Sequence, residues 1–87
     1  MNQPRIDIYT KLGCGYCTRA RRLLDEKGVE YNDIDVTMGG KERREMLERA
    51  PDATTVPQIF IGETHVGGSD DLATLERTGK LDALLRS

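Results

Sequence analysis

Cysteine and histidine are scarce in this 87-residue chain, and long apolar runs are absent. Its two cysteines are Cys14 and Cys17, and its one histidine is His65. A disulfide-rich secreted scaffold is excluded, because a bridge between residues so close would close a tiny loop and add little through loop entropy. No apolar run reaches the length of about 18 residues that a membrane-spanning helix needs. The start, MNQPRIDIYT, lacks the basic-then-apolar pattern of a signal peptide, so a cytoplasmic protein in a reducing compartment is expected. Charge of one sign is also scarce. The net charge is -2, so bulk electrostatics point to no nucleic-acid and no membrane partner.

What is present suits one small soluble unit. Hydrophobic residues make up 37% and charged residues 32%. No repeat, linker or low-complexity tract divides the chain, and residues 1–87 read as a single domain with a modest core. The charge is uneven, however. Residues 1–22 carry Arg5, Lys11, Arg19, Arg21 and Arg22 against Asp7 alone, and the cysteines lie in this basic part. Such a field suits a solvated helix face, and equally it favours a thiolate and anionic ligands.

RIDIYT, residues 5–10, alternates as a strand does, with Ile6 and Ile8 on one face and Asp7 and Tyr9 on the other. KLGCGYC is a loop by its glycines. From Cys17 to Lys27 the spacing is helical, with Tyr16, Ala20, Leu23 and Leu24 as the apolar stripe and Gly28 just past the end. Residues 29–36, VEYNDIDV, read as a second strand of open register. Strand, helix and strand make a βαβ unit, so these two strands should be parallel. Residues 41–50 read as a charged helix with Met46, Leu47 and Ala50 on one side. PQIFIG and THVGG form a hairpin across Gly62-Glu63. Residues 69–79 read as a helix capped by Ser69 or Asp70, and a short helix follows. The order β-α-β-α-β-β-α-α predicts an α/β protein of the thioredoxin fold, a four-stranded mixed sheet with helices on both faces. Tyr9, Tyr31 and Phe60 are expected in the core, and His65 shows no partner.

The cysteines admit several readings. A structural zinc site wants four ligands, and His65 stands about fifty residues from the pair. A structural disulfide does not suit a reducing compartment. Inert burial is the ordinary fate of a cysteine. Against these stands the context: a C-x-x-C pair in a glycine-rich loop, after a strand and opening a helix of a βαβ unit, reads as a thioredoxin-like redox motif. The chemistry explains the placement. The thiolate is the nucleophile, and the unpaired N–H groups at a helix start favour an anion. Cys14 is then the attacking sulfur and Cys17 the resolving one.

Three separated segments carry a family resemblance: KLGCGYC at 11–17, TTVPQIFIG at 54–62 and HVGGSDDL at 65–72. In this order and spacing, covering nearly the whole chain, they resemble the small bacterial dithiol glutaredoxins. The resemblance implies a glutathione-dependent thiol–disulfide oxidoreductase. Cys14 would reduce protein–glutathione mixed disulfides, and Cys14 with Cys17 would reduce protein disulfides. It further implies a cis-proline at Pro57, preceded by Thr55 and by Val56, whose backbone would pair with the cysteinyl part of glutathione. Gly68, Ser69 and Asp70 would hold the γ-glutamyl end at a helix start. Lys11 and Arg43 would meet the glycyl carboxylate, and Tyr16 would line the groove. Implied partners are glutathione as co-substrate, glutathionylated or disulfide-bonded proteins and, indirectly, glutathione reductase. No tightly bound organic cofactor is implied, and a monomer is expected.

The chain also departs from that pattern. Gly15 stands where many relatives have proline, which loosens the loop and frees a φ angle. Ser69 stands where close relatives often have a third cysteine. Some family members with a small residue at the Gly15 position bind a 2Fe–2S cluster. In those, two protomers each give the first cysteine, here Cys14, and two glutathiones supply the other thiolates. This is the alternative function, and no other metal site is expected.

Overall fold

The computed structural model describes residues 3–86. Its elements follow in the order β1 (Ile6–Thr10), α1 (Gly15–Glu26), β2 (Asn32–Asp35), α2 (Gly40–Arg49), β3 (Gln58–Ile61), β4 (Thr64–Gly67), α3 (Ser69–Arg77) and α4 (Lys80–Arg86). The sheet order is β2-β1-β3-β4. β1 and β2 are parallel, as the crossover through α1 requires. β3 runs antiparallel to β1, and β4 antiparallel to β3. This is the mixed four-stranded sheet of the thioredoxin fold, as expected.

Both faces of the central strands are covered, and this is why all five residues of β1 are buried. Ile6, Ile8, Ile59 and Ile61 face α1, α3 and α4, packing with Ala20, Leu24, Leu72, Leu81 and Leu85. Each isoleucine or leucine among them, fully buried, contributes roughly 1.5–3 kcal/mol. Tyr9 and Phe60 face the other way, toward Met46 and Ala50 of α2 and toward Val36. The alternation of β1 was therefore correct in its faces but not in its contrast, since Asp7 and Tyr9 are as inaccessible as the isoleucines.

Three local readings need correction. β2 is only four residues long. Val29 and Tyr31 pack toward the α1 side, whereas Ile34 and Val36 pack toward α2. A doubly covered strand blurs the alternation that fixes a register. Helix α1 begins at Gly15, two residues early, and Tyr16 leaves the apolar stripe: it is 57% exposed, while Cys17 is buried. The cap of α3 is neither Ser69 nor Asp70. Gly68 occupies the cap position, and the Asp71 side chain reaches back to accept the Gly68 N–H at 2.9 Å. Gly67 makes that reach feasible. Its φ of 111° suits glycine, and a Cβ there would run into the Asp71 carboxylate.

A row of cross-strand partners crosses the sheet beneath α2. Asn32, Asp7, Phe60 and His65 are successive partners on the four strands. The buried Asp7 carboxylate accepts from Arg5 at 3.1 Å, Asn32 at 2.9 Å and Arg49 at 2.9 Å. Arg49 also donates to the Tyr9 hydroxyl at 3.0 Å and lies 3.9 Å from the Phe60 ring centre. Tyr9 in turn donates to Glu45 at 2.8 Å. A single ion-pair network thus ties α2 to the sheet.

Candidate active site

Cys14 is the N-cap of α1, with extended backbone at φ -99° and ψ 109°. Its Sγ accepts the Cys17 N–H at 3.2 Å, as a capping oxygen would. As a thiol it points its S–H at the Val56 carbonyl, 3.8 Å away. Both cysteines are free, Cys14 half-buried and Cys17 fully buried. This divides their chemistry. Burial opposes ionisation of Cys14, but the Cys17 S–H and N–H, the Tyr16 N–H and the Lys11 charge outweigh it and hold the thiol below its usual range. Burial, reinforced by the neighbouring Cys14, pushes Cys17 up to about 11. One sulfur is an available nucleophile and the other a buried proton donor.

The two values predict a two-stage alkylation profile. Iodoacetamide is expected to modify Cys14 with a midpoint below the ordinary thiol value of about 8.5. Cys17 should stay unmodified until the pH approaches 11. Lys11→Gln removes one of the causes and should move the first midpoint up. A single step near the ordinary value, with both cysteines labelled together, would contradict this division.

Opposite Cys14, the Val56–Pro57 peptide is cis. The Thr54–Val56 segment separates two hollows and lines both. The larger, about 750 Å³, lies between Tyr16, Pro57 and the start of α3, and Gly68, Ser69 and Asp70 line it. The smaller, about 150 Å³, is lined by Lys11, Thr37 and Arg43. The nine non-cysteine positions singled out in the sequence thus all line one hollow or the other, in a band running past Cys14. Sequence reasoning missed the residues of the far wall, among them Arg49, Gln58 and His65. His65 has partners after all: Nε2 lies 2.7 Å from the Gln58 Oε1, and its ring stacks on Phe60 at 4.6 Å. The signal available was the hairpin register, which puts His65 directly across from Phe60.

A C-x-x-C pair at the helix start of a βαβ unit, its first sulfur facing a cis-proline, defines a redox-active protein of the thioredoxin fold. The comparisons narrow the class. The family model described as Glutaredoxin matches residues 6–66. A glutaredoxin of Pseudomonas aeruginosa is 57% identical over 82 residues, covering 94% of this chain and 96% of that protein. The solution structure of glutaredoxin from Brucella melitensis matches with a TM-score of 0.83 at 51% identity, over 99% of this chain and 92% of that one. The crystal structure of a buckwheat glutaredoxin–glutathione complex matches with a TM-score of 0.80 at 32% identity, over 95% of this chain and 76% of that one. The chain belongs to the glutaredoxin family, whose members are glutathione-dependent thiol oxidoreductases. Like them, it is an enzyme of thiol–disulfide exchange.

Proposed function

We propose that this enzyme reduces protein–glutathione mixed disulfides, with Cys14 as nucleophile, and protein disulfides through Cys14 and Cys17 together. The placement of Cys14 carries the reading. A half-exposed sulfur of lowered pKa sits at a helix start, beside a backbone segment that runs between two hollows. Glutathione would lie along that segment, its cysteinyl part against Val56 and its γ-glutamyl end at Thr55, Pro57 and Gly68 to Asp70. Its glycyl carboxylate would reach Lys11 and Arg43, and Tyr16 would flank the sulfur. The solved buckwheat complex of a relative supports this choice of ligand.

In the first step the Cys14 thiolate attacks the glutathione sulfur of the mixed disulfide. A Cys14–glutathione disulfide forms, and the protein thiolate leaves and takes a proton. A second glutathione thiolate then attacks the glutathione sulfur held on Cys14. Oxidised glutathione departs and the Cys14 thiolate returns. For a protein disulfide, Cys14 forms the mixed disulfide with the protein, and Cys17 must lose its proton to resolve it. A flavoprotein glutathione reductase would recycle the product, and residues 1–87 would act as one monomeric domain of the cytoplasm.

The test compares two substrates. Wild type and Cys17→Ser should both reduce a glutathionylated peptide with glutathione as reductant. Only wild type should reduce an intramolecular protein disulfide efficiently. Equal loss of both activities in Cys17→Ser would overturn the one-cysteine route. A second reading rests on the same exposure of Cys14: one accessible thiolate per chain suits a 2Fe–2S cluster shared by two chains and two glutathiones. Among the described residues no group of three or more His, Cys, Asp or Glu could hold a metal, so such a cluster would need the second chain and glutathione. Visible absorbance after oxygen-free purification separates the two readings.

A further inference from the structure

The large apolar side chains exposed among the described residues are Leu12, Tyr16 and Met38, and all three belong to the segments around Cys14. Leu12 and Tyr16 each stand two residues from Cys14. Met38 comes from elsewhere in the chain. It is brought in because the Leu12 N–H donates to the Thr37 Oγ1 at 2.7 Å, which ties the β1–α1 loop to the turn after β2. That turn is itself held, with the Thr37 N–H on Asp35 at 2.7 Å and the Gly39 N–H on the Val36 carbonyl at 3.0 Å. The exposures are extreme for such residues, 83% for Leu12 and 93% for Met38. Neither packs against the core, and neither lines the hollows assigned to glutathione. A leucine and a methionine presented together by a braced pair of loops mark a contact surface.

The reaction itself says what must cover them. In the first step a cysteine of the oxidised protein has its sulfur within bonding reach of the glutathione sulfur over Cys14. An extended chain advances at most about 3.3–3.6 Å per residue, so the one to three residues beside that cysteine lie within reach of Leu12, two residues from Cys14. We propose that Leu12 and Met38 dock the polypeptide half of the substrate, favouring an apolar residue next to the oxidised cysteine and acidic residues beyond it. The acidic preference follows from the rim. Arg19 follows Tyr16, and Lys41 and Arg44 follow Met38 along the start of α2; all three are exposed and unused by the glutathione reading. The nearby acids are Asp35, which is exposed and accepts the Thr37 N–H, and the half-buried Glu42, so the three cations outnumber them.

This inference rests on the glutathione reading above, and the experiment keeps the two apart. Three glutathionylated substrates are compared: a peptide with leucine beside the cysteine and glutamates outside, the same peptide with lysines outside, and the mixed disulfide of glutathione with 2-mercaptoethanol. Wild type should favour the acidic peptide over the small disulfide by about tenfold in kcat/KM, about what one buried apolar side chain is worth. Leu12→Ser/Met38→Ser should lose most of that preference while its rate on the small disulfide stays unchanged, which also shows that the variant is folded. The lysine peptide should be the poorer of the two for wild type. An equal fall on all substrates, or no change on any, overturns the docking surface. So does a wild-type dimer that the substitutions dissociate, since the patch would then belong to a second copy. A wild type inactive on all three overturns the glutathione reading, and the docking surface with it.

Discussion

Cys14→Ser is expected to abolish reduction of both glutathionylated peptides and protein disulfides, by at least about a thousandfold. The size follows from the division of labour between the two sulfurs. Serine keeps the capping acceptor and should keep α1 intact. Its hydroxyl does not ionise near neutral pH, however, and it forms no disulfide. Cys17 cannot substitute for it. It is fully buried, and its pKa is raised to about 11. Steady-state turnover with glutathione as reductant measures the loss, and circular dichroism shows whether the fold survives. Residual activity within tenfold of wild type would mean that Cys17 attacks directly, and the assigned roles would have to be exchanged.

The second large effect is on stability. Arg49→Ala strands the buried Asp7 carboxylate with only Arg5 and Asn32. Removing one partner of a buried pair typically costs 3–5 kcal/mol; because the Arg49 side chain is 32% exposed, about 2–3 kcal/mol is expected here. For a chain of this length that corresponds to a fall of roughly 10–20 °C in Tm. Asp7→Asn/Arg49→Met should recover more than half of the loss, because no buried charge then lacks a partner. If the double variant is as unstable as the single one, lost packing and not an unpaired charge is responsible.

The pH dependence has a definite sign. Burial pushes the Asp7 carboxyl up, but donors from Asn32, Arg49 and Arg5 outweigh it and leave it below the ordinary carboxylate value. A depressed folded value stabilises the protein fully above the unfolded pKa of about 3.9 and loses that contribution as the pH falls through the folded value. Wild type should therefore lose stability in acid below about pH 4, and Arg49→Ala should lose less over the same range.

The contrast between Cys14 and Asp7 shows what a sequence can disclose. The cysteine pair was legible because its chemistry is local: spacing, glycines and a helix start lie within a few residues. The fold was legible through alternation in β1, the apolar run of β3 and helical spacing in α1 and α2. Asp7 was not, because its partners Asn32 and Arg49 come from 25 and 42 residues away and meet only once the sheet is formed. A charged residue in an alternating strand reads as solvent-facing unless the covering helix supplies its counter-charge. His65 failed differently: its partners Gln58 and Phe60 are near in sequence, and only the hairpin register brings them across from it. Tyr16 misled because it falls at core spacing in the first turn of α1, where Cys17 and not Tyr16 faces the interior, and Asp71 was overlooked as a cap because its side chain acts backward.

The uneven covering of the sheet bears on the site as well as on stability. Three helices share one face, so the cysteine-bearing α1 is locked among neighbours. Helix α2 lies on the other face, held by Met46, Ala50 and the charges around Asp7. Its two ends supply walls of both hollows, Arg43 at the smaller and Arg49 with the turn after it at the larger. A reactive sulfur on a helix packed among neighbours thus faces hollows walled by a helix that hangs on one apolar cluster and one ion-pair network.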